Sequence, residues 1–534
     1  MSVDKNTTDE KLNTVISFTD TDIDKQNAAN VITSIISPSG KEVKVTGDVD
    51  EAMKYAIRNT EEHIELDPKA SRRLFYKLNI CLLPLICLLY CFQFMDKLSN
   101  SYASILGLRD PKIGLNMVGD QYSWTGSAFY LGYLFFEFPT SLLLQRFPVI
   151  TTTSIFIIIW GFVLAMGSVC GSHGSQSGYA GFIFIRTIQG GLESIITPAF
   201  TLYTGFWYKK DEVFLITSLW FASNGLGTIL GSGAVAHSVF QHRESYDLAP
   251  WKLVFIITGV LTIGLGIAMF FYLPNTPAQA WFLNDEEKKM VVERLRETNQ
   301  GFGNKHFKIH QFKEAFLDVK TWLFFIFAFC NNIPNGGLTN FGSILLNEDL
   351  DYSTGKALLM QMPSGAVEIV GCVLFAYCYK FYQKRLFWAT LGTAITLASQ
   401  CMLAFSKNNK VQLAGYTLYS LGPIGFICVL SCIGSNVLGT TKKQTTNAIY
   451  LISYCVGNLV GPQTFKASES PDYPSAKLAI VICGAISLVT LIVLWVYLEW
   501  ENKRRDKNQT ELHIENIEFA DLTDKENPYF RYVI

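Results

Sequence analysis

The chain has 534 residues, of which 49% are hydrophobic and only 17% charged, and its formal net charge is −1. Soluble domains carry nearer a quarter charged residues, so this balance, with a mean hydropathy of +0.23, marks an integral membrane protein. Near-neutrality gives no electrostatic case for a nucleic-acid partner. The 12 cysteines fall mostly inside apolar runs and read as small packing residues, and the 7 histidines sit in tails and loops. With no CxxC pair and no His/Cys cluster at ligand spacing, the expectation is no metal, no cofactor and no catalytic centre.

Residues 1–73 are polar and read as a disordered tail, with a short helix possible over 50–63. No apolar run near the first residue suggests a cleavable signal, so the first membrane helix acts as the internal start. Apolar segments of about 20 residues, the length that crosses a hydrocarbon core, then follow. They lie near 78–100, 121–143, 150–170, 179–205, 213–239, 251–273, 321–345, 357–380, 386–405, 411–434, 444–465 and 476–498. The third, sixth and twelfth are the cleanest, while Gly, Pro and polar residues interrupt the eighth and eleventh. The fold class is therefore all-α, a polytopic membrane protein with twelve transmembrane helices in two six-helix halves. The halves span 74–273 and 321–499, joined by a linker over 274–320 and followed by a tail over 500–534. The linker holds a charged amphipathic helix with Asn284 as N-cap and Glu287 three residues on, as in a capping box. Its charges read first as a solvated face and second as a gate contact. Lys and Arg concentrate on the loops that share a side with both termini, which makes that side cytosolic.

Several polar residues stand inside these segments. The fourth, over 183–208, carries Arg186 and Glu193 in an otherwise apolar body. Intramembrane charges usually face a bundle interior or an aqueous path, so they mark a candidate site. Seven residues are two helical turns, which places both side chains on one face about 10 Å apart. Gly190 and Gly191 between them allow another backbone to come close. Asp96 and Lys97 end the first helix, either at the outer interface with Lys97 snorkelling or inside the outer half of the bundle. Tyr133 and Glu137 share a face of the second helix, and Asn224 lies among the glycines of the fifth. In the seventh, Pro334 should break the helix and leave Asn335 and glycine backbone near a cavity. Glu368 is a further buried carboxylate, and Asn447 and Asn458 belong to the eleventh helix. As a set this suits an organic anion: Arg186 offers a planar fork for a carboxylate and Lys97 a mobile point charge. Carboxylates beside such cations can exchange protons as the site opens to either side.

The phrases SPSGKEVKVTGDVDEAMK, QFMDK, GDQYSW, SAFYLGYLF, ESIITP, NIPNGG, PSGAVEIVGC and GPQTF give the chain a resemblance over nearly its whole length. It resembles the fungal allantoate permease branch of the anion:cation symporter family, within the major facilitator superfamily. The resemblance implies substrate held at mid-membrane between two rocking halves. It also implies proton coupling by Asp96 and Glu193, and substrate contact by Lys97, Arg186 and Tyr133. Asn224 joins them as a substrate-binding candidate, with Glu137, Glu368, Asn335 and Asn447 as gating or secondary positions. The family's bacterial members have arginine where Lys97 stands. The superfamily's loop signature between helices 2 and 3 is degenerate, with Gln145 for aspartate and Pro148 for glycine.

The expectation is a proton-coupled, monomeric plasma-membrane importer of a small organic carboxylate, by preference allantoate or another ureido acid. Short peptides form a second substrate class. A vitamin or amino-acid carboxylate (nicotinate, pantothenate, biotin, cysteine) is the rival within the family, and a non-transporting nutrient sensor the rival outside it. A membrane-embedded enzyme lacks a nucleophile–base pair.

Overall fold

A computed structural model describes residues 35–36, 42–43, 68–171, 177–296, 307–507, 522–527 and 529–534. The remainder of the disordered-tail expectation, and the short helix over 50–63, lie outside the described residues. Ile35–Ile36 pairs antiparallel with Glu42–Val43. From residue 68 the described chain is a succession of helices. In the first half they are α1 (Pro68–Ala103), α2 (Gln121–Arg146), α3 (Val149–Met166), α4 (Ser177–Glu193), α5 (Ile196–Gly205), α6 (Lys210–Ile229) and α7 (Pro250–Tyr272). The linker contributes α8 (Asp285–Arg296) and α9 (Ile309–Leu317). The second half holds α10 (Val319–Ile344), α11 (Met362–Tyr379), α12 (Arg385–Phe405), α13 (Asn409–Leu418), α14 (Pro423–Asn436), α15 (Thr440–Gln463) and α16 (Pro474–Lys507).

Eight of the described helices are long and apolar enough to cross a membrane on length and composition, and α9 with α10, bent by 62°, makes a ninth. The remaining three spans are α4–α5, α6 and α15. The first is broken at Ser194-Ile195, and the last opens on a polar run from Thr440 to Asn447. Such spans are tolerable where they pack in protein or line a cavity, and these do both. Together they complete twelve spans, six to a half.

Three local expectations change. The fourth span is two helices, broken at Ser194-Ile195. Pro198 explains the position: its ring clashes with the carbonyl four residues back, that of Ser194. Pro334, by contrast, does not break α10, which runs on to Ile344. A proline is absorbed in a membrane helix where neighbouring helices hold it, and here α15 presses on that turn. A Cβ on Gly336 would lie 2.3 Å from the Asn458 carbonyl oxygen, and one on Gly461 would lie 2.4 Å from that of Ile333. The eleventh span is likewise one continuous helix, α15.

Similar contacts hold the rest. A Cβ on Gly190 of α4 would lie 1.8 Å from the Phe129 carbonyl oxygen of α2, and one on Gly132 of α2 would lie 1.8 Å from that of Thr187. Between the halves, α2 packs on α15 and α6 on α11, two crossings that each set the second span of one half against the fifth of the other. The second uses Gly225 and Gly365, each within 2.4 Å of the other's carbonyl oxygen if given a Cβ.

The halves meet unequally. On the far side, where α1 ends, one apolar core draws on both halves, including Tyr102 and Trp251 from the first and Phe341 and Phe465 from the second. On the near side, where α1 begins, there are two cores. One belongs to the first half and the linker; the other belongs to the second half, apart from Phe221 and Ala222 of α6. The linker is more than a solvated face. Glu287 Oε2 accepts from the Asn284 N–H at 2.9 Å, one leg of the capping box, and pairs with Lys77 of α1 at 2.6 Å. Arg294 pairs with Glu212 of α6.

Residues 522–527 and 529–534 are folded against the near side of the second half. Asp524, fully buried, pairs with Lys320 of α10 and, at 2.7 Å, with Lys442 of α15. The Tyr532 hydroxyl donates to Asp524 at 2.7 Å, and Val533 exchanges backbone hydrogen bonds with the Asn436 side chain at 2.7 and 2.8 Å. Glu314, Asp318 and Asp524 bring three carboxylates together. The ammonium of Lys442 bridges all three at 2.7–2.8 Å.

Candidate functional site

Between the halves at mid-height lies a cavity of about 150 Å³, a volume that holds a small organic molecule. Its walls come from α1, α2, α5, α6, α10, α11, α13–α14 and α15, and none from α3, α7, α12 or α16. The spans that read as cleanest in sequence, α3, α7 and α16, thus give the cavity no wall. Among the described residues its only charged lining side chains are Lys97 on the α1 wall and Glu368 on the α11 wall. Tyr133, Asn224, Asn331, Asn332 and Asn335 also line it.

Lys97 is inside the bundle rather than at the outer interface. α1 stays helical to Ala103, and Asp96 is fully buried. The two neighbours point to different partners. Lys97 Nζ lies 2.8 Å from Glu193 Oε1, which also accepts from Gln93 Nε2 at 2.9 Å. Asp96 Oδ2 accepts from the indole of Trp160 at 2.7 Å and from the amide of Gln189. Gln189 in turn accepts from Arg186 Nη1 at 3.0 Å. Arg186 therefore stands behind the cavity wall. It reaches Asp96 through Gln189, donates to the Thr125 carbonyl at 3.4 Å, and lies 5.0 Å from the Phe129 ring centroid. Four buried charges of zero net sum share this network, and Arg186 and Glu193 both face α1, as two-turn spacing requires.

Burying such charges is costly unless each is paired and hydrogen-bonded. The pairing accounts for all four, with one exception: Glu193 Oε2 has no partner among the described residues. The sequence reading missed Gln93, Gln189 and Trp160. A signal existed for two of them, since Gln93 is one turn before Lys97 and Gln189 lies between Arg186 and Glu193 on their shared face. Trp160, in a helix without a charged residue, carried none.

The other candidates separate. Tyr133 is at the wall with its hydroxyl 3.5 Å from Thr197 Oγ1. Glu137, one turn on and off the cavity, faces Cys455 Sγ of α15 at 3.6 Å, a contact between the halves. Asn224 lies against Glu368. Asn335 donates to Asn458 Oδ1 at 2.8 Å, a hydrogen bond between α10 and α15. Asn447 is half-buried on α15, away from the cavity. On the far side a polar layer closes the space: Asn100 donates to Asn340 Oδ1 at 3.0 Å, Tyr122 to the Asn340 carbonyl at 2.6 Å, and Ser101 to Ser343 at 3.0 Å.

Twelve spans in two halves around a central polar cavity are the layout of a membrane transporter. The chain belongs to the Major Facilitator Superfamily, whose model matches residues 85–462. It is 45% identical over 523 residues to the allantoate permease of Saccharomyces cerevisiae, covering 95% of this chain and 94% of that one. It is 48% identical over 490 residues to an uncharacterized transporter of Schizosaccharomyces pombe, covering 91% and 94%. The E. coli proton:xylose symporter XylE shares the fold, with a TM-score of 0.59 at 14% identity over 78% of this chain and 96% of that one. The protein is a multi-pass membrane transporter and not an enzyme.

Proposed function

We propose that this transporter imports a small organic carboxylate together with protons, with allantoate or a related ureido acid as substrate. The observation that carries the reading is the Lys97–Glu193 pair at the cavity wall, 2.8 Å apart. A carboxylate substrate arriving at Lys97 competes with Glu193 for the ammonium. Protonating Glu193 frees Lys97 for the substrate, and losing the substrate restores the pair and expels the proton. That linkage couples the two fluxes without any further device. Asp96 is the second proton site, tied to Arg186 through Gln189, so the fork of Arg186 becomes available when that bridge opens. Tyr133 and Asn224 orient the substrate at the wall, Glu137 adjusts the packing between the halves, and Asn335 and Asn447 are secondary positions.

The loop-charge bias supports cytosolic termini, which makes the far-side polar layer the extracellular seal. The permease relative supports residence in the plasma membrane. A monomer suffices, since both halves and the cavity belong to one chain. The test is a competition panel in a permease-deficient fungal strain, with radiolabelled allantoate uptake challenged by ureido acids, dipeptides, nicotinate, pantothenate, biotin and cysteine. Ureido acids should compete best. Competition by vitamins or cysteine alone would transfer the substrate to that class, and no uptake of any carboxylate would end the proposal.

A further inference from the structure

The charge network on the α1 wall leaves Glu368 unaccounted for. Its side chain is only 3% exposed, yet it lines the cavity, and its Oε1 has no hydrogen-bond partner among the described residues. Lys97, the other charged lining residue, already pairs with Glu193. A buried carboxylate oxygen without a donor is costly, so a site that keeps one there gains when a ligand brings the donor. The surroundings specify what kind. Asn224 lies against Glu368, and Asn331, Asn332 and Asn335 of α10 line the same cavity. Side-chain amides both donate and accept, whereas an ionised carboxylate only accepts. Two parallel N–H groups on a planar ligand can meet both oxygens of a carboxylate, the geometry of a bidentate fork.

We infer that Glu368, with Asn224 beside it and the other asparagines lining the same cavity, is the subsite that selects a substrate carrying a planar ureido group, while Lys97 on the α1 wall takes its carboxylate. Glu368 accepts the paired N–H groups while the amides donate to the urea carbonyl. A plain carboxylic acid of equal size would leave Glu368 unpaired and be rejected for that reason, because sites built to hydrogen-bond a ligand discriminate strongly against analogues lacking the group. This rests on the proposed role of Lys97.

The experiment measures binding of ureidoacetate and of its hydrocarbon isostere 4-methylpentanoate to the purified full-length transporter, with guanidinoacetate as a third probe. Wild type should bind ureidoacetate about tenfold or more tightly than 4-methylpentanoate. Glu368→Gln should lose that preference by weakening ureidoacetate and tightening 4-methylpentanoate, and Glu368→Asp should retain part of it. Asn224→Leu, which leaves Glu368 in place, should shrink the preference about threefold, and it carries the test if Glu368→Gln does not fold. A preference unchanged in these variants, equal loss of both ligands in folded Glu368→Gln, or a wild type that binds both alike would overturn the inference while leaving the carboxylate reading intact. Guanidinoacetate bound more tightly than ureidoacetate would also overturn it, in favour of a cationic ligand. A wild type that binds none of the three removes the carboxylate reading itself.

Discussion

Lys97 does two jobs at one position: it lines the cavity and its ammonium lies 2.8 Å from Glu193. These are separable by substitution. Glu193→Gln should abolish gradient-driven uptake and spare substrate exchange; loss of exchange as well would make Glu193 structural or substrate-binding. Lys97→Met leaves Glu193 buried without its cation, which should cost about 3–5 kcal/mol in stability as well as transport. The double variant Lys97→Met, Glu193→Gln should regain much of the melting temperature but none of the uptake. If the double variant melts as low as the single, the pair is not the unit described. At this scale the sequence was readable where charge is out of place, because Arg186 and Glu193 in an apolar helix demand an explanation. It was not readable for Trp160, whose indole donates 2.7 Å to Asp96 yet reads as apolar bulk until its neighbour is known. Nor did it reveal that Arg186 would stand behind the wall with Gln189 between it and Asp96, since helical spacing gives a face and not a depth.

Helices here are positioned by where a backbone can approach and where a proline can be absorbed. Two prolines that look alike in sequence have opposite outcomes. Pro198 coincides with a break one turn earlier, at Ser194-Ile195, while Pro334 stays inside α10. The difference lies in the neighbours, with α15 seated against the Pro334 turn, and no local rule on the sequence could supply it. The glycines were better legible, since pairs such as Gly190-Gly191 announce close packing, though not which partner. Gly225→Ala puts a Cβ 2.3 Å from the Gly365 carbonyl oxygen and must push the halves apart at the α6–α11 crossing. It should lower stability by about 1–3 kcal/mol and slow uptake. Gly264→Ala on α7, with nothing within 4 Å of its Cβ, should leave the melting temperature and uptake unchanged. Equal effects would mean that the α6–α11 contact is not limiting.

Over the whole molecule, the far side shares one core and the near side is divided into two, and the Asn100–Asn340 and Ser101–Ser343 layer joins the halves beneath that shared core. The twelve-span layout was legible because lipid imposes segment length and apolarity. The docking of residues 522–527 and 529–534 was not, because a polar tail reads as solvated until the lysines it meets are in place. Burial works against the charged form of Asp524, but Lys320 and Lys442 outweigh it and hold its carboxyl well below the usual range. Its pKa is thus lowered on folding, so its contribution is present above about pH 4, the unfolded value, and is lost as pH falls toward the folded one. Asp524→Asn should therefore destabilise the purified protein by about 3 kcal/mol at neutral pH, with the gap from wild type constant from pH 8 to 5 and closing in stronger acid. A variant that melts like wild type at pH 7 would mean the docked segment does not brace the second half.

The claim that binds these scales together is that a carboxylate and a proton compete and cooperate at Lys97 and Glu193. Purified transporter in liposomes, given radiolabelled allantoate with or without an inward proton gradient, measures it directly. Accumulation above equilibrium that appears with the gradient and collapses on adding a protonophore is the predicted result; no allantoate entry, or entry indifferent to the gradient, would contradict the account.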